Sequence, residues 1–238
     1  MTQDVFGDFK AYSLAGTDQE IQFITTVLNL PPNSSILDLY CGYGRHAIEL
    51  ARLGFNVTGV DATKAFLDIA SQKAEEEGVA VTFAQCDMRE LDYCEEFDAV
   101  INMFAAFGYF SDAENIDVLK RVAKALRPHG LFLIDLLNRD WMVRNSLNRY
   151  WRHPSGEYVL SYKVELSQGV AIMKRELVNL LTGAKTQYEF VLRAYSLAEI
   201  TAILAQAGFS IKQTYGGFDY RTYGVEAPRM IILAEKQT

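Results

Sequence analysis

Cysteine is scarce in this chain: Cys41, Cys86 and Cys94 are the whole supply. Three thiols, an odd number, make no disulfide framework and fit a reducing compartment with the sulfurs packed away. Cys86 and Cys94 stand too far apart for a C-x-x-C pair, and no Cys/His cluster has metal-ligand spacing, so no metal is expected. Positive charge is also short, with 23 Lys+Arg against 30 Asp+Glu, a net charge of −7. Such a chain repels a phosphate backbone, which excludes a non-specific nucleic-acid binder and leaves only local basic patches open. Long apolar runs are missing as well. The longest, Leu131 to Leu137, is too short to cross a bilayer and contains Asp135. The first ten residues hold two acids and no apolar stretch, and so do not read as a secretory signal. Internal repeats and low-complexity linkers are absent too. The expectation is a cytoplasmic protein with neither a membrane nor a nucleic acid as partner.

What is present is a core. Half of the 238 residues are hydrophobic and 12% are aromatic, enough for one full-sized domain and too much for a disordered chain. Thr17-x-x-Glu20 has the form of a capping box and opens a helical pattern that stops before Pro31-Pro32. Short strand-like runs follow at Ser35–Tyr40, Phe55–Val60, Val79–Gln85, Phe97–Met103 and Leu131–Leu137. Helical patterns lie between them, one capped by Thr63 and another by Ser111-x-x-Glu114. Arg127-Pro-His-Gly130 breaks the second. Alternating strands and helices imply a parallel sheet covered on both faces. After Leu137 the rhythm becomes a period of two, through Tyr158–Leu166, Val170–Leu181 and Tyr188–Ala194, with turns at Ser167–Gly169 and Thr182-Gly183. This predicts a three-stranded antiparallel insertion, about residues 150–195, within a single domain spanning residues 1–238. Ser196-x-x-Glu199 caps a last helix, and Phe209–Tyr215 and Met230–Ala234 complete the sheet.

The chemistry concentrates in Ile36-Leu-Asp-Leu-Tyr-Cys-Gly-Tyr-Gly-Arg-His46. A strand delivers Asp38, Gly42 and Gly44 let backbone pass close to a ligand, and a helix follows at once. Asp61 ends the second strand roughly 20 residues later, where a ribose acceptor belongs, and Asp87 ends the third. Taken singly, the glycines fit a tight turn and the acids fit helix caps. Taken together at three consecutive strand ends, they fit a ligand cleft. A dinucleotide fingerprint would continue to a third glycine, and here Ala47 stands in its place. Asp38 would repel a pyrophosphate and welcome an ammonium or sulfonium group.

These residues resemble the class I S-adenosylmethionine-dependent methyltransferases. Asp38–Gly44 is similar to their D-x-G-x-G-x-G motif, with Tyr40 where the first glycine usually stands. Val57–Asp61, Cys86–Met88, Phe97–Asn102 and Leu126–Gly130 resemble four further motifs in the usual order, with His129 in place of another glycine. The resemblance implies an α/β fold: a Rossmann-like, seven-stranded, mostly parallel sheet with an antiparallel last strand, to which the insertion is added. It implies S-adenosylmethionine as cofactor and S-adenosylhomocysteine as product. Asp38 would favour the ammonium, and Gly42 and Gly44 would pass beside the methionine moiety. Asp61 would accept the ribose hydroxyls. Asp87 and the Met88 N–H would read the adenine, Ala62 and Met88 would pack on its faces, and Asn102 and Met103 would lie below the methionyl group. His46 would reach the cofactor carboxylate or simply pack.

The acceptor is less legible. Asn102-Met-Phe-Ala-Ala-Phe-Gly-Tyr-Phe110 lacks the N/D-P-P-Y/F of enzymes that methylate base amino groups or glutamine amides. It resembles the M-F-S-S-I-G segment of amino-sugar and glycine N-methyltransferases, with Ala105 and Ala106 replacing the serines. A small-molecule acceptor, at N rather than O, is therefore expected. Pocket candidates are Phe107, Tyr109, Arg139, Trp151, His153, Asp219 and Arg221, and no catalytic residue is named. For the aromatics, core or lid packing is the competing role; for Asp219 and Arg221, pairing with each other. A cofactor-binding regulator without transferase activity and a nicotinamide oxidoreductase are the rival functions, and monomer or homodimer stays open.

Overall fold

In the computed structural model, residues 16–145, 148–152 and 156–238 are described. The seven-stranded sheet comprises β1 (Ser35–Leu39), β2 (Asn56–Asp61), β3 (Thr82–Gln85), β4 (Phe97–Asn102), β5 (Leu126–Leu137), β10 (Phe209–Tyr215) and β11 (Arg229–Lys236). Its order is β10-β11-β5-β4-β1-β2-β3, and β11 alone runs antiparallel to its neighbours. The order reverses between β1 and β4, which in open α/β sheets marks the ligand crevice at the strands' carboxyl ends. Helices α1 (Thr17–Leu28), α2 (Arg45–Arg52), α3 (Lys64–Glu76), α4 (Asp112–Ala125), α5 (Arg139–Arg144) and α6 (Leu197–Gln206) accompany the strands. None among the described residues is long and apolar enough to cross a membrane.

Successive side chains of a strand point to opposite faces, and the core divides accordingly. Leu37, Leu39, Phe132, Ile134 and Leu136 join Leu119 and Val122 of α4 and Ile200 and Leu204 of α6 in one cluster. Ile36, Ala99, Ile101 and Leu133 join Phe23 and Ile24 of α1 and Ala47 and Leu50 of α2 in the other. Both faces are buried, which is why these strands read as nearly unbroken apolar runs.

Ser111 with Glu114, and Ser196 with Glu199, form the expected reciprocal capping boxes of α4 and α6. Thr17-x-x-Glu20 does not. Gly16 is the N-cap of α1, with no side-chain cap bond, and Glu20 is buried and bonded elsewhere. Thr63 does occupy the N-cap of α3, but its side chain makes no cap bond. Arg127–Gly130 bulges within β5 rather than preceding it, because β4 pairs Phe97 with Leu126 and then Ala99 with Leu131.

The antiparallel insertion is a separate sheet with four strands rather than three: β6 (Asn148–Arg152), β7 (Tyr158–Ser167), β8 (Val170–Asn179) and β9 (Lys185–Arg193). β6 was not expected, since five residues carry too little alternation to announce a strand. Gln168 and Gly169 join β7 to β8 with φ of +50° and +78°, the two left-handed residues that a tight hairpin turn matching strand twist requires. The apolar face of this sheet, with Ala171, Met173 and Leu192, packs against Leu137, Trp141 and Met142 at the end of β5 and on α5. That contact holds the insertion at the carboxyl edge of the main sheet.

Candidate functional site

Asp38 lies in β1 between Gly59 of β2 and Ile101 of β4, 1% exposed. Past it the chain turns on Tyr40, Gly42 and Gly44, with φ of +67°, +54° and +70°. The N–H groups of Tyr40 and Cys41 both donate to the Val60 carbonyl, at 2.8 and 2.9 Å, and bind the turn to β2. Tyr40 thus adopts a glycine's conformation where the resemblance places a glycine, at a cost of about 1–2 kcal/mol. Its ring stacks on Tyr109 at 5.7 Å. A Cβ on Gly44 would lie 2.8 Å from the Phe83 ring and 3.0 Å from Ala70, so glycine lets α2 start close against β3 and α3. A Cβ on Gly42 would meet no protein atom within 4 Å, so its left-handed φ, not crowding by the protein, is what favours glycine.

Asp61 is buried and staples this turn. One carboxylate oxygen accepts the Gly42 N–H at 3.0 Å and the other the Thr63 N–H at 2.8 Å. Ala62 is exposed beside it. Asp87 caps the turn Met88–Glu90, accepting from the Arg89 backbone and guanidinium at 2.8–3.1 Å. Those bonds from Arg89 hold its carboxyl below the usual range. The Met88 side chain is 5% exposed and packs in the core cluster that contains Val60 and Leu91. Asn102, fully buried, donates to the Leu39 carbonyl at 2.9 Å and ties β4 to β1; Met103 beside it is 4% exposed.

Two further clusters escaped the sequence reading. In the first, Glu20 accepts hydrogen bonds from Arg45 and from His46, the latter at 2.6 Å. Burial would raise the Glu20 carboxyl, but the bonds and charges of His46 and Arg45 outweigh it and hold the group low. In the second, Asp135 accepts from the Phe104 N–H at 2.8 Å and from Arg229, and its backbone carbonyl accepts the Ala105 N–H at 3.0 Å. Phe104 and Ala105 are both left-handed, at φ +66° and +57°. The Phe104 ring has two guanidiniums near it, Arg45 at 5.1 Å and Arg229 at 5.3 Å from its centroid. Asp135 did leave a signal, as the lone acid of the most apolar run. Glu20 left none, because its spacing from Thr17 imitates a cap.

Burial is the main influence on Asp38 and pushes its carboxyl up to about 6, against the pull of His46, Arg45 and the Ala47 N–H. Oδ2 of Asp38, Nη2 of Arg45 and Oδ1 of Asn102 are buried without a hydrogen-bond partner. Each such atom costs about 1–3 kcal/mol unless something answers it. Asp38 and Arg45 are opposite charges within electrostatic reach of each other, so a zwitterion, with an ammonium for one and a carboxylate for the other, satisfies both. Among the described residues no group of three His, Cys, Asp or Glu side chains gathers as metal ligands.

The expected acceptor residues scatter. Tyr109 is at the site, 36% exposed and stacked on Tyr40. Phe107 is core instead of pocket wall, buried and 6.0 Å from the Tyr195 ring. Arg139 bonds Glu199 and borders a cleft of about 530 Å³ with Leu166 and Gln168, apart from the glycine turn. Asp219 and Arg221 are exposed and pair with each other, which is why neither is held ready for a ligand. Trp151 lies in β6 opposite Leu160, its side chain outside the described set, and His153 lies outside the described residues. A second cleft, about 350 Å³, runs between Tyr109 and the insertion at Val170 and Leu192.

Residues 36–130, which hold β1 through the bulge of β5, match the family described as "Methyltransferase domain". A Bacillus subtilis protein, YqeM, named as a candidate methyltransferase, is 37% identical over 110 residues, 45% of this chain and 44% of its own length. The ubiquinone biosynthesis O-methyltransferase of Rickettsia conorii is 34% identical over 105 residues, 44% of this chain and 35% of its own. The chain thus spans less than half the length of these relatives. In structure, it is similar to CalS10, an amino pentose methyltransferase from Micromonospora echinaspora solved with S-adenosylmethionine. That likeness has a TM-score of 0.78 at 19% identity, covering 100% of this chain and 98% of the other.

Proposed function

We propose that this chain, whose residues 36–130 match a methyltransferase domain, transfers a methyl group from S-adenosylmethionine to a small-molecule acceptor, at nitrogen in preference to oxygen, by in-line displacement. S-adenosylmethionine supplies a methyl already activated on a positively charged sulfur. The carrying observation is the pair of buried, unpartnered atoms of opposite charge, Asp38 Oδ2 and Arg45 Nη2, beside the glycine turn. They fit the cofactor's amino-acid end. Asp61, placed at the end of β2, keeps lone pairs beyond those used by Gly42 and Thr63 and is assigned the ribose hydroxyls. Asp87 and the Met88 N–H are assigned the adenine edge, Ala62 one of its faces, and Asn102 with Met103 the floor below the methionyl group.

The protein's share of the chemistry is alignment and exclusion of water. Proximity alone supplies up to ~7–11 kcal/mol, so no dedicated base is required. Whole-chain likeness to an amino pentose methyltransferase, insertion included, supports an amine acceptor. The Rickettsia conorii O-methyltransferase matches 44% of this chain, against the whole-chain likeness to the amino pentose enzyme. Incubating the protein with methyl-labelled S-adenosylmethionine and a panel of amines, amino sugars and phenols tests the proposal. Label on an amine is the expected result, and label on phenols alone would reverse the nitrogen assignment. Cofactor binding without transfer to any acceptor would favour a regulator.

A further inference from the structure

α1 lies ahead of residues 36–130, the part of the chain that matches the methyltransferase domain, yet it reaches the glycine turn. Phe23 and Ile24 seat it in the core beside Ala47 and Leu50 of α2. That packing carries Thr17 and Glu20, both buried, to the first turn of α2. There Nη1 of Arg45 donates to the Glu20 carboxylate and, at 3.1 Å, to the Thr17 hydroxyl. A guanidinium Nη carries two hydrogens, so both of these are answered. The same Glu20 oxygen lies 2.6 Å from Nε2 of His46. The Phe104 ring, its centroid 5.1 Å from the guanidinium carbon, adds an aromatic contact. Nη2 is what remains: buried, with no hydrogen-bond partner among the described residues. A long, flexible side chain is thus tied at one nitrogen and presents the other.

Resting on the methyl-transfer reading, we propose that Glu20 is a positioning residue that holds Arg45 so that Nη2 meets the carboxylate of the cofactor. It thereby sets a preference for S-adenosylmethionine over nucleosides that lack the amino-acid end. Thr17 assists from the same turn of α1. Ordering a rotamer-rich side chain weakens binding, and a guanidinium already held by two acceptors has little freedom left to lose. Glu20 also has an opposite effect, because its own negative charge repels an incoming carboxylate. The two effects differ in sign, so the response to removing Glu20 separates them.

Calorimetric titration with S-adenosylhomocysteine and with methylthioadenosine, which lacks the amino-acid end, tests the proposal. Wild type should bind S-adenosylhomocysteine the more tightly. In Glu20→Ala that affinity should fall at least about tenfold, while methylthioadenosine stays within about threefold of wild type and certifies the fold. Glu20→Gln keeps an acceptor oxygen for Arg45 without the charge, and should recover S-adenosylhomocysteine binding to within about threefold of wild type. Should Glu20→Ala not fold, Thr17→Val, which removes only the second bond to Nη1, should show the same selective loss on a smaller scale. Equal losses for both ligands in Glu20→Ala would leave Glu20 a packing residue. Unchanged or tighter S-adenosylhomocysteine binding would leave it no more than a charge. Either result overturns the proposal. Wild type that binds both ligands alike overturns the placement of the amino-acid end at Asp38 and Arg45, and the proposal with it. Wild type that binds neither overturns the methyl-transfer reading itself.

Discussion

A carboxylate as deeply buried as that of Asp38 lowers stability, a cost that the proposed function offsets on cofactor binding. Its folded pKa of about 6 stands above the ordinary 3.8. The native state therefore holds the proton more tightly than the unfolded chain. The associated stability is complete below pH ~3.8 and is lost as pH rises through ~6, about 3 kcal/mol in all at 1.36 kcal/mol per unit. Asp38→Asn should melt higher than wild type at pH 7.5 and nearly equal to it at pH 4, as differential scanning calorimetry would register. In the proposed function the ionised form is the one that meets the cofactor's ammonium. Affinity for S-adenosylmethionine should thus rise from pH 5 to pH 7 in wild type and stay flat in Asp38→Asn; equal pH profiles would dissociate Asp38 from the cofactor. Asp61→Ala should weaken cofactor binding at least tenfold, ~1.4 kcal/mol, through lost charge-assisted hydrogen bonds. Tyr40→Gly relieves a left-handed strain, so its stability should hold or improve by about 1 kcal/mol. Loss of the stack on Tyr109 should appear in the KM for the acceptor.

At the scale of elements, local signals were readable and distant ones were not. Ser111 and Ser196 announced α4 and α6 because a capping box is completed within four residues. Thr17-x-x-Glu20 has the same spelling, yet Glu20 bonds Arg45 and His46, which stand 25 and 26 positions further on. No local pattern reports such a tertiary partner. Phe104 and Ala105, non-glycine residues with positive φ, are held by Asp135, 31 positions after Phe104, and were equally invisible. The insertion was legible by its period of two, but its attachment to the site was not. The Gly108 carbonyl accepts the Arg193 N–H at 2.7 Å. A Cβ on Gly108 would fall 2.6 Å from the Arg193 carbonyl oxygen, at a φ of +103°. Gly108→Ala should therefore loosen the insertion where it meets the Tyr109 loop. Acceptor turnover should drop at least tenfold while the Kd for S-adenosylmethionine changes less than threefold. An equal loss in both would mean that the loop belongs to the cofactor side alone.

Across the whole molecule, the βα alternation was enough to place the sheet and its crevice, since parallel strands deliver their ends to one edge. Asp38, Gly42, Gly44, Asp61 and Asp87 were readable because each lies at or just past the carboxyl end of one of three strands. Arg229, 94 positions after Asp135, joins it only through the antiparallel return of β11 beside β5. The seating of the insertion likewise depends on how a second sheet packs on the end of β5 and on α5. The net charge of −7 takes on a sharper meaning, for Asp38 and Asp61 are buried at the carboxyl edge and are not surface charge. Because binding to the folded state alone stabilises it, S-adenosylmethionine at 100 times its Kd should add ~2.7 kcal/mol, a clear rise in melting temperature. The most direct test of the central claim is a calorimetric titration of the purified chain with S-adenosylmethionine and, separately, with NADH. Saturable heat with S-adenosylmethionine, at one site per chain, and none with NADH is the predicted result. Tight NADH binding with no S-adenosylmethionine heat would contradict it.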